Sequence, residues 1–352
     1  SRIGSSTQIG DGFATQPYPK SIRCGYSRLT PSQKLSELLS KQKQKYRIRN
    51  WRAYNAALVE RGSLTVWFDD THQTQWYETV QSGQRGAPRR YSDVAVQCGL
   101  VMREVFHLPL RALEGFMQSV ITLLGVDLAI PDYSTFSRRA AALTVQIGRR
   151  TSESPRHIVI DSTGLKVYGA GEWHRRQHRV QRRRTWRKLH LAVDTRTHEV
   201  IAAELTAATV QDAEVFPALL EQIPADEPIA SIAADGAYDT RVCHQKLLDR
   251  PAEALIPPRA NAVAWPPLAN RQPHPRTAIL EYRQQHGDKA WKNHSGYHRR
   301  SLAETAMFRL KTLFGERLSN RRFETQTTQA YARLAAMNIM TRLGMPDTVV
   351  AC

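Results

Sequence analysis

"RHIVIDSTGLKVYG", residues 156–169, is the stretch on which the fold turns. Ile158, Val159 and Ile160 make a short, nearly continuous apolar run closed by Asp161, the pattern of a central strand covered on both faces. Further β-rich runs, "LKVYG", "KLHLAVD" and "EVIAAELT", follow, separated by polar segments. Next come a helix "DAEVFPALLEQI", the apolar run "IASIAAD", a helix "TRVCHQKLLDR", a strand "AEALIPP" and an irregular region. Two amphipathic helices close the sequence, one in "YHRRSLAETAMFRLKTLFGERL" (297–318) and one in "TQAYARLAAMNIMTRLG". Three strands, helix, strand, helix, strand and helix describe a mixed α/β sheet of the RNase H type, assigned to residues 151–348.

The segment upstream has a different period. Residues 1–40 are rich in Ser, Gly, Thr and Pro and read as a disordered leader. Because the sequence starts with Ser and its first Met is Met102, this leader is expected to be an extension of the reading frame or a cloning remnant. Residues 41–150 read as a mainly helical N-terminal DNA-binding domain. It opens on the basic "KQKQKYRIRNWR", and "SLTVWF" reads as a short strand. "SDVAVQCGLVMREVF", "LPLRALEGFMQSVITLLG" and "DYSTFSRRAAAL" read as helices, with Ser92 and Asp132 as N-caps and Gly125 as a C-cap. Two readings stand for this part: a helix-turn-helix presenting Arg138 and Arg139 to a groove, or a small bundle with solvated arginines.

Fifty Lys and Arg against thirty-two Asp and Glu leave a net charge of +18, which favours a polyanionic partner through counterion release, nucleic acid before all others. Cys24, Cys98, Cys243 and Cys352 lie far apart without a CxxC pair, so they read as reduced thiols of a cytoplasmic protein. The run "VITLLGVDLAI" is broken by Asp127, and no membrane partner is expected.

The proposed layout puts Asp161 at the end of the first strand and Asp235 at the end of the fourth, so that adjacent central strands carry both to one edge. Glu304 lies on a helix able to pack beside that edge. Three carboxylates suit two Mg²⁺ ions, which can activate an attacking oxygen and stabilise the leaving oxygen of a phosphodiester. Taken singly, each aspartate also reads as a turn former after a strand. "SLAE" likewise matches a capping box, with Ser301 at the N-cap and Glu304 at the third helical position.

Together the motifs resemble one known family. Tyr297, two residues, Arg300, three residues, Glu304, six residues and Lys311 match without a gap the signature of bacterial insertion-sequence DDE transposases. "VIDSTGLKVYGAGEWHRRQH", "RRRTWRKLHLAVD", "IAADGAYDTRVCH", "ALIPPR" and "RRSLAETAMFRLKTLFG" look like successive blocks of the family-five type, in order from about residue 45 to 348. The resemblance implies that Asp161, Asp235 and Glu304 are the catalytic triad, binding two Mg²⁺ for which Mn²⁺ can substitute. It implies that Tyr297, Arg300 and Lys311 hold phosphates of the transposon end. Residues 174–188, "HRRQHRVQRRRTWRK", carry no acid, and Arg175, Arg176, Arg182, Arg183, Arg184 and Lys188 are expected on the DNA backbone from a basic hairpin or loop. His174, His178 and His190 receive no metal role, because hard Mg²⁺ prefers oxygen. Trp265 reads either as a base-stacking aromatic or as a loop-packing one.

The expected activity is Mg²⁺-dependent cleavage of double-stranded DNA at the terminal inverted repeats and strand transfer into target DNA, by a homo-oligomer acting at the bacterial nucleoid. The competing readings are an RNase H-like DNA nuclease without strand transfer and a non-catalytic, transposase-derived DNA-binding protein.

Overall fold

In the computed structural model, residues 46–79, 88–167, 185–269 and 271–350 are described. The chain divides into two units. One holds the two ends, through Arg49 and from Thr348 on. Its described part is an antiparallel ladder between β1 (Tyr46–Ile48) and the last strand, Thr348–Val350.

The other unit, Asn50–Asp347, begins with α1 (Trp51–Glu60), α2 (Leu64–Trp67), α3 (Asp70–Thr74), α4 (Asp93–Val105), α5 (Leu110–Leu124) and α6 (Tyr133–Arg139). The expected strand in "SLTVWF" is instead the helical turn α2. Trp67 is buried there and its indole N–H donates to the Arg61 carbonyl at 2.9 Å, an anchor that overrides the β-branched composition. The expected caps are present: Ser92 accepts from the Ala95 N–H at 3.1 Å, Asp132 from Ser134 and Thr135, and Gly125 takes φ 66°. Gly99 of α4 allows close approach, since a Cβ there would lie 2.4 Å from the Phe136 ring.

The sheet follows: β2 (Arg156–Val167), β3 (Trp186–Asp194), β4 (Val200–Ala207), α7 (Asp212–Glu221), β5 (Ile229–Ala233), α8 (Arg241–Asp249), β6 (Glu253–Leu255), α9 (Pro275–Ser295), α10 (Ser301–Phe314), β7 (Arg317–Leu318) and α11 (Phe323–Leu343). Its order is β4-β3-β2-β5-β6, with β2 to β4 antiparallel and β5 and β6 parallel to β2. That is the mixed RNase H-like arrangement the sequence order implies. One correction concerns β2, which runs unbroken through Asp161 into "LKV", so Asp161 is a mid-strand residue. Asp161 pairs with Leu191 and Leu165 with Arg187, and this ladder holds "STG" extended where it could have turned.

Side chains alternate across β2. Ile158 and Ile160 join Phe216 and Leu219 on one face, while Val159 and Leu165 join Leu310, Phe314 and Met337 on the other. The second cluster also contains Trp67, Trp76, Met102, Leu113 and Phe136 from the helical segment. Each such side chain contributes about 1.5–3 kcal/mol when buried, and through them α2, α4, α5 and α6 share one core with the sheet. A buried ion pair, Arg333 to Glu104 at 2.7 Å, ties α11 to α4 inside that core. Arg156, at the start of β2, is buried against Asp194 at 2.6 Å and Glu227 at 2.9 Å.

Candidate active site

The parallel ladder between β2 and β5 sets the first two acids. Val159 pairs with Ala233, so Asp161 and Asp235, each two residues further on, come to the same edge of the sheet. Asp235 leaves the sheet at once to cap a 3₁₀ turn, Gly236–Tyr238, accepting from the Ala237 N–H at 2.8 Å. Asp161 stays in the strand and accepts from the Ser162 N–H at 2.8 Å.

Glu304 comes from the other side, in the first turn of α10. The capping box does not form: Ser301 turns its hydroxyl to the His298 carbonyl at 2.9 Å, and the N-cap position belongs to Arg300. Tyr297–Arg300 form a 3₁₀ turn ahead of the helix, entered through Gly296 at φ 67°. The turn aims Arg300 at the sheet, where its guanidinium donates to Asp161 at 2.5 Å and to Glu304. Two of the four signature positions, Arg300 and Glu304, thereby meet Asp161 in one ionic cluster. Tyr297 is half-buried beside Arg300, with its ring tilted against Trp291 at 5.2 Å. Lys311 lies about two turns further along α10 and is half-buried.

Burial raises the Asp161 carboxyl above its ordinary range, and the nearby charge of Asp235 adds to this while Arg300 opposes it. Burial also raises the Tyr297 phenol, with Asp235 and Asp161 adding to the effect. Arg300 is held charged: burial works against its cation, but Asp161, Tyr297 and Glu304 outweigh it. Asp161, Asp235, Tyr297 and Arg300 thus lie within range of one another's charge.

The donor chemistry of the acids fits a divalent ion, since all three offer only carboxylate oxygens. Among the described residues, however, no three His, Cys, Asp or Glu side chains are gathered closely enough to hold one ion. The Arg300 guanidinium lies between Asp161 and Glu304 and supplies the positive charge there.

Of the expected DNA contacts, Arg175, Arg176, Arg182, Arg183 and Arg184 lie outside the described residues. Lys188 is on β3 and gives its ammonium to the Val210 carbonyl at 3.1 Å and to Asp212 at 3.3 Å. In the helical segment, Arg139 is bound to the Tyr91 carbonyl and Asp93, and Arg138 to Ser134 and Thr135. Trp265 packs. Arg276 lies 4.3 Å and Arg241 5.3 Å from the centroid of its half-buried ring, and His244 and His274 meet it edge-on. Arg276 is fixed in turn by Asp239. Burial opposes ionisation of that carboxyl, yet bonds from Arg276, His244 and the Arg259 N–H hold it well below its usual range.

A second polar cluster went unread in the sequence. His190 is fully buried opposite Ser162, with Nε2 3.0 Å from the Thr206 hydroxyl and Nδ1 3.4 Å from Asp212. Burial pushes His190 down to about 4, helped by Lys188 and opposed by Asp212, so the ring is neutral at pH 7. The only sequence signal for Asp212 is an acid in the first turn of α7, which is ordinarily a helix-end preference and nothing more.

Residues 59–170 match one family profile described as "Transposase DDE domain", and residues 152–339 match a second of the same description, which alone spans more than half the chain. The chain belongs to the DDE transposases. It is an enzyme acting on DNA at transposon ends by phosphodiester cleavage and transesterification, and its family works with divalent metal ions. Solved structures similar to this DDE transposase include a piggyBac transposase synaptic complex with hairpin DNA, at 12% identity over 86% of this chain and 78% of that one, TM-score 0.33. Two others are a Mos1 transposase paired-end complex (12%, 66% and 74%, TM-score 0.21) and a Mos1 strand transfer complex (14%, 67% and 82%, TM-score 0.22). Superpositions this loose leave the assignment to the family profiles. Among the described residues, no helix of the transposase is long and apolar enough to cross a membrane.

Proposed function

We propose that this transposase binds the terminal inverted repeats of its own family-five type element, cleaves there, and joins the freed 3′-hydroxyl to target DNA at a single site. Asp161, Asp235 and Glu304 are its catalytic acids and seat two Mg²⁺ ions, with Mn²⁺ able to substitute. Bound there, the ions would activate the attacking oxygen and stabilise the leaving one. The observation that carries the reading is the pair of bonds by which Arg300 joins Asp161 of the central strand to Glu304 of α10, beside Asp235 in parallel register.

Arg300 and Lys311 grip phosphates of the substrate, Arg300 as a planar fork and Lys311 as a point charge. Tyr297, braced by Trp291, limits where the Arg300 fork can swing. In the absence of DNA the fork closes on the two acids and screens them from each other. With a phosphate present it has a second anion to hold, which frees both carboxylates for cations. The basic run at 174–188 and the helical segment at 41–150 contribute end binding, and the active complex is a homo-oligomer at the nucleoid.

Asp161→Asn, Asp235→Asn and Glu304→Gln should each abolish cleavage of end-containing DNA while leaving end binding within a few-fold of the parent. Loss of folding or of DNA binding in all three would refute the assignment. Joining of pre-cut ends to a target plasmid separates a transposase from a nuclease. The ends to test are matching inverted repeats in the DNA flanking the gene.

A further inference from the structure

Among the described residues, seven buried side-chain atoms have no hydrogen-bond partner, and three of them belong to one neighbourhood: His190 Nδ1, Asp212 Oδ1 and the Tyr238 hydroxyl. His190 Nδ1 and Asp212 Oδ1 are 3.4 Å apart. Tyr238 is 1% exposed, with its ring centroid 5.9 Å from that of Phe216. Burial raises its phenol, and Asp212 is the largest of the charges that add to this. Asp212 and Phe216 are one turn apart on the same face of α7, so the ring contact and the charge effect both put the hydroxyl on the side of Asp212.

The donors and acceptors of this cluster can be assigned. The Thr206 hydroxyl donates to the Lys188 carbonyl at 3.4 Å, so toward His190 it accepts, and Nε2 at 3.0 Å carries the ring proton. The neutral ring is left with a bare lone pair on Nδ1. Asp212 Oδ1 is a second acceptor, since Lys188, 3.3 Å away, pairs with it as a charge and not as a hydrogen-bond donor. The protonated phenol supplies one O–H. Two acceptors and one donor are the complement of a single water, which donates twice and accepts once, and a buried water ordinarily makes about three such bonds.

The three groups stand on three elements that frame the proposed acids. His190 lies on β3 opposite Ser162, the residue after Asp161. Asp212 opens α7. Tyr238 closes the 3₁₀ turn capped by Asp235, is the buried side chain of that turn, and bonds its N–H to the Asp235 carbonyl at 3.1 Å. Whatever fixes the Tyr238 hydroxyl therefore fixes the turn, and with it the position of Asp235 relative to Asp161.

We propose that Tyr238 is a positioning residue for Asp235, acting through one internal water that it shares with His190 Nδ1 and Asp212 Oδ1. The role given to Asp235 rests on the catalytic reading above, whereas the water site stands on the hydrogen-bond complement alone.

A crystal structure of the full chain should show an ordered solvent peak within hydrogen-bond reach of all three atoms; its absence would overturn the proposal whether or not any variant folds. Tyr238→Phe keeps the ring against Phe216 and removes only the donor. It should bind end DNA as the parent does but bind Mn²⁺ about tenfold more weakly by calorimetry, the lower end of what losing an outer supporting bond costs a metal site. In an Asp212→Ala background, Tyr238→Phe should weaken Mn²⁺ binding no further, because the shared water is already lost; additive losses would overturn the sharing. A lowered urea midpoint for Tyr238→Phe with unchanged Mn²⁺ affinity would make the hydroxyl a support of the fold only and overturn the positioning role. A parent that neither binds Mn²⁺ nor cuts ends would sink the underlying reading and this role with it, whereas a parent active in both and matched by Tyr238→Phe would sink this proposal alone.

Discussion

Replacing Arg300 by Gln should make the DNA-free protein a better binder of divalent cations. In the structure the guanidinium bonds Asp161, where the two side chains are 22% and 17% exposed, and Glu304, which is 56% exposed. The first is a charge-assisted bond in a partly buried setting, worth about 1.5–3 kcal/mol. The second is a helix i, i+4 pair open to solvent, worth about 0.3–0.5 kcal/mol. A cation entering between the acids must displace both, so their removal should tighten its binding by about 2–3 kcal/mol, on the order of a hundredfold. Titration calorimetry with Mn²⁺ at pH 8, well above the ordinary carboxylate range, measures this directly. Saturating end DNA should close most of the gap between parent and variant, because the phosphate draws the parent's guanidinium away. Equal or weaker Mn²⁺ binding by Arg300→Gln would show that Arg300 does not compete for the acids, and the argument would fail.

Two further outcomes follow from buried groups. Arg156→Ala strands buried Asp194 without its cation and leaves Glu227 to Arg149 alone, so urea denaturation should show a loss of about 3–5 kcal/mol, much larger than for an exposed arginine such as Arg322. His190 is held at about 4 against an unfolded value near 6.5, so the folded state binds fewer protons and its contribution is fully present above pH 6.5. That contribution is lost as pH falls toward 4 and amounts to at most about 3 kcal/mol. Thermal unfolding between pH 7 and 4 should therefore fall less steeply for His190→Gln than for the parent; parallel curves would refute the burial argument.

Much of this was legible because apolar runs mark the strands, even though the pairing that matters, β2 with β5, skips β3 and β4. The apolar runs around Asp161 and Asp235 mark adjacent central strands, and parallel register then carries both acids to one edge. Local signals misled where long-range contacts overrode them. "DSTG" has turn chemistry, but β3 holds it extended from Ser162 opposite His190 to Gly164 opposite Lys188. "SLAE" has capping chemistry, but Arg300 claims Glu304 and leaves Ser301 to the His298 carbonyl. Trp265 has the composition of a ligand-stacking loop residue, yet Arg276, itself fixed by Asp239, covers its ring. Lys188 reads as part of a basic run, but it sits on a strand whose neighbour across the loop, Asp212, neutralises it. Apart from Arg300 and His298, which are four and three residues from Glu304 and Ser301, these partners lie beyond the reach of a local pattern.

The three acids differ in how firmly they are held, and this bears on how the site could assemble. Asp161 is locked in the antiparallel ladder opposite Leu191, and Asp235 is tied to the Ala237 amide two residues from a parallel pair. Glu304 has only its helix and Arg300, and its side chain is the most exposed of those in the ionic cluster. On the proposed reading, bringing it to an ion shared with Asp161 calls for Arg300 to release both carboxylates. The 3₁₀ turn ahead of α10, entered at the left-handed Gly296, sets Arg300 at the N-cap of the helix that carries Glu304. The carboxylates are thus divided into a fixed pair and one adjustable member, with the residue that must move already bonded to both sides of that division.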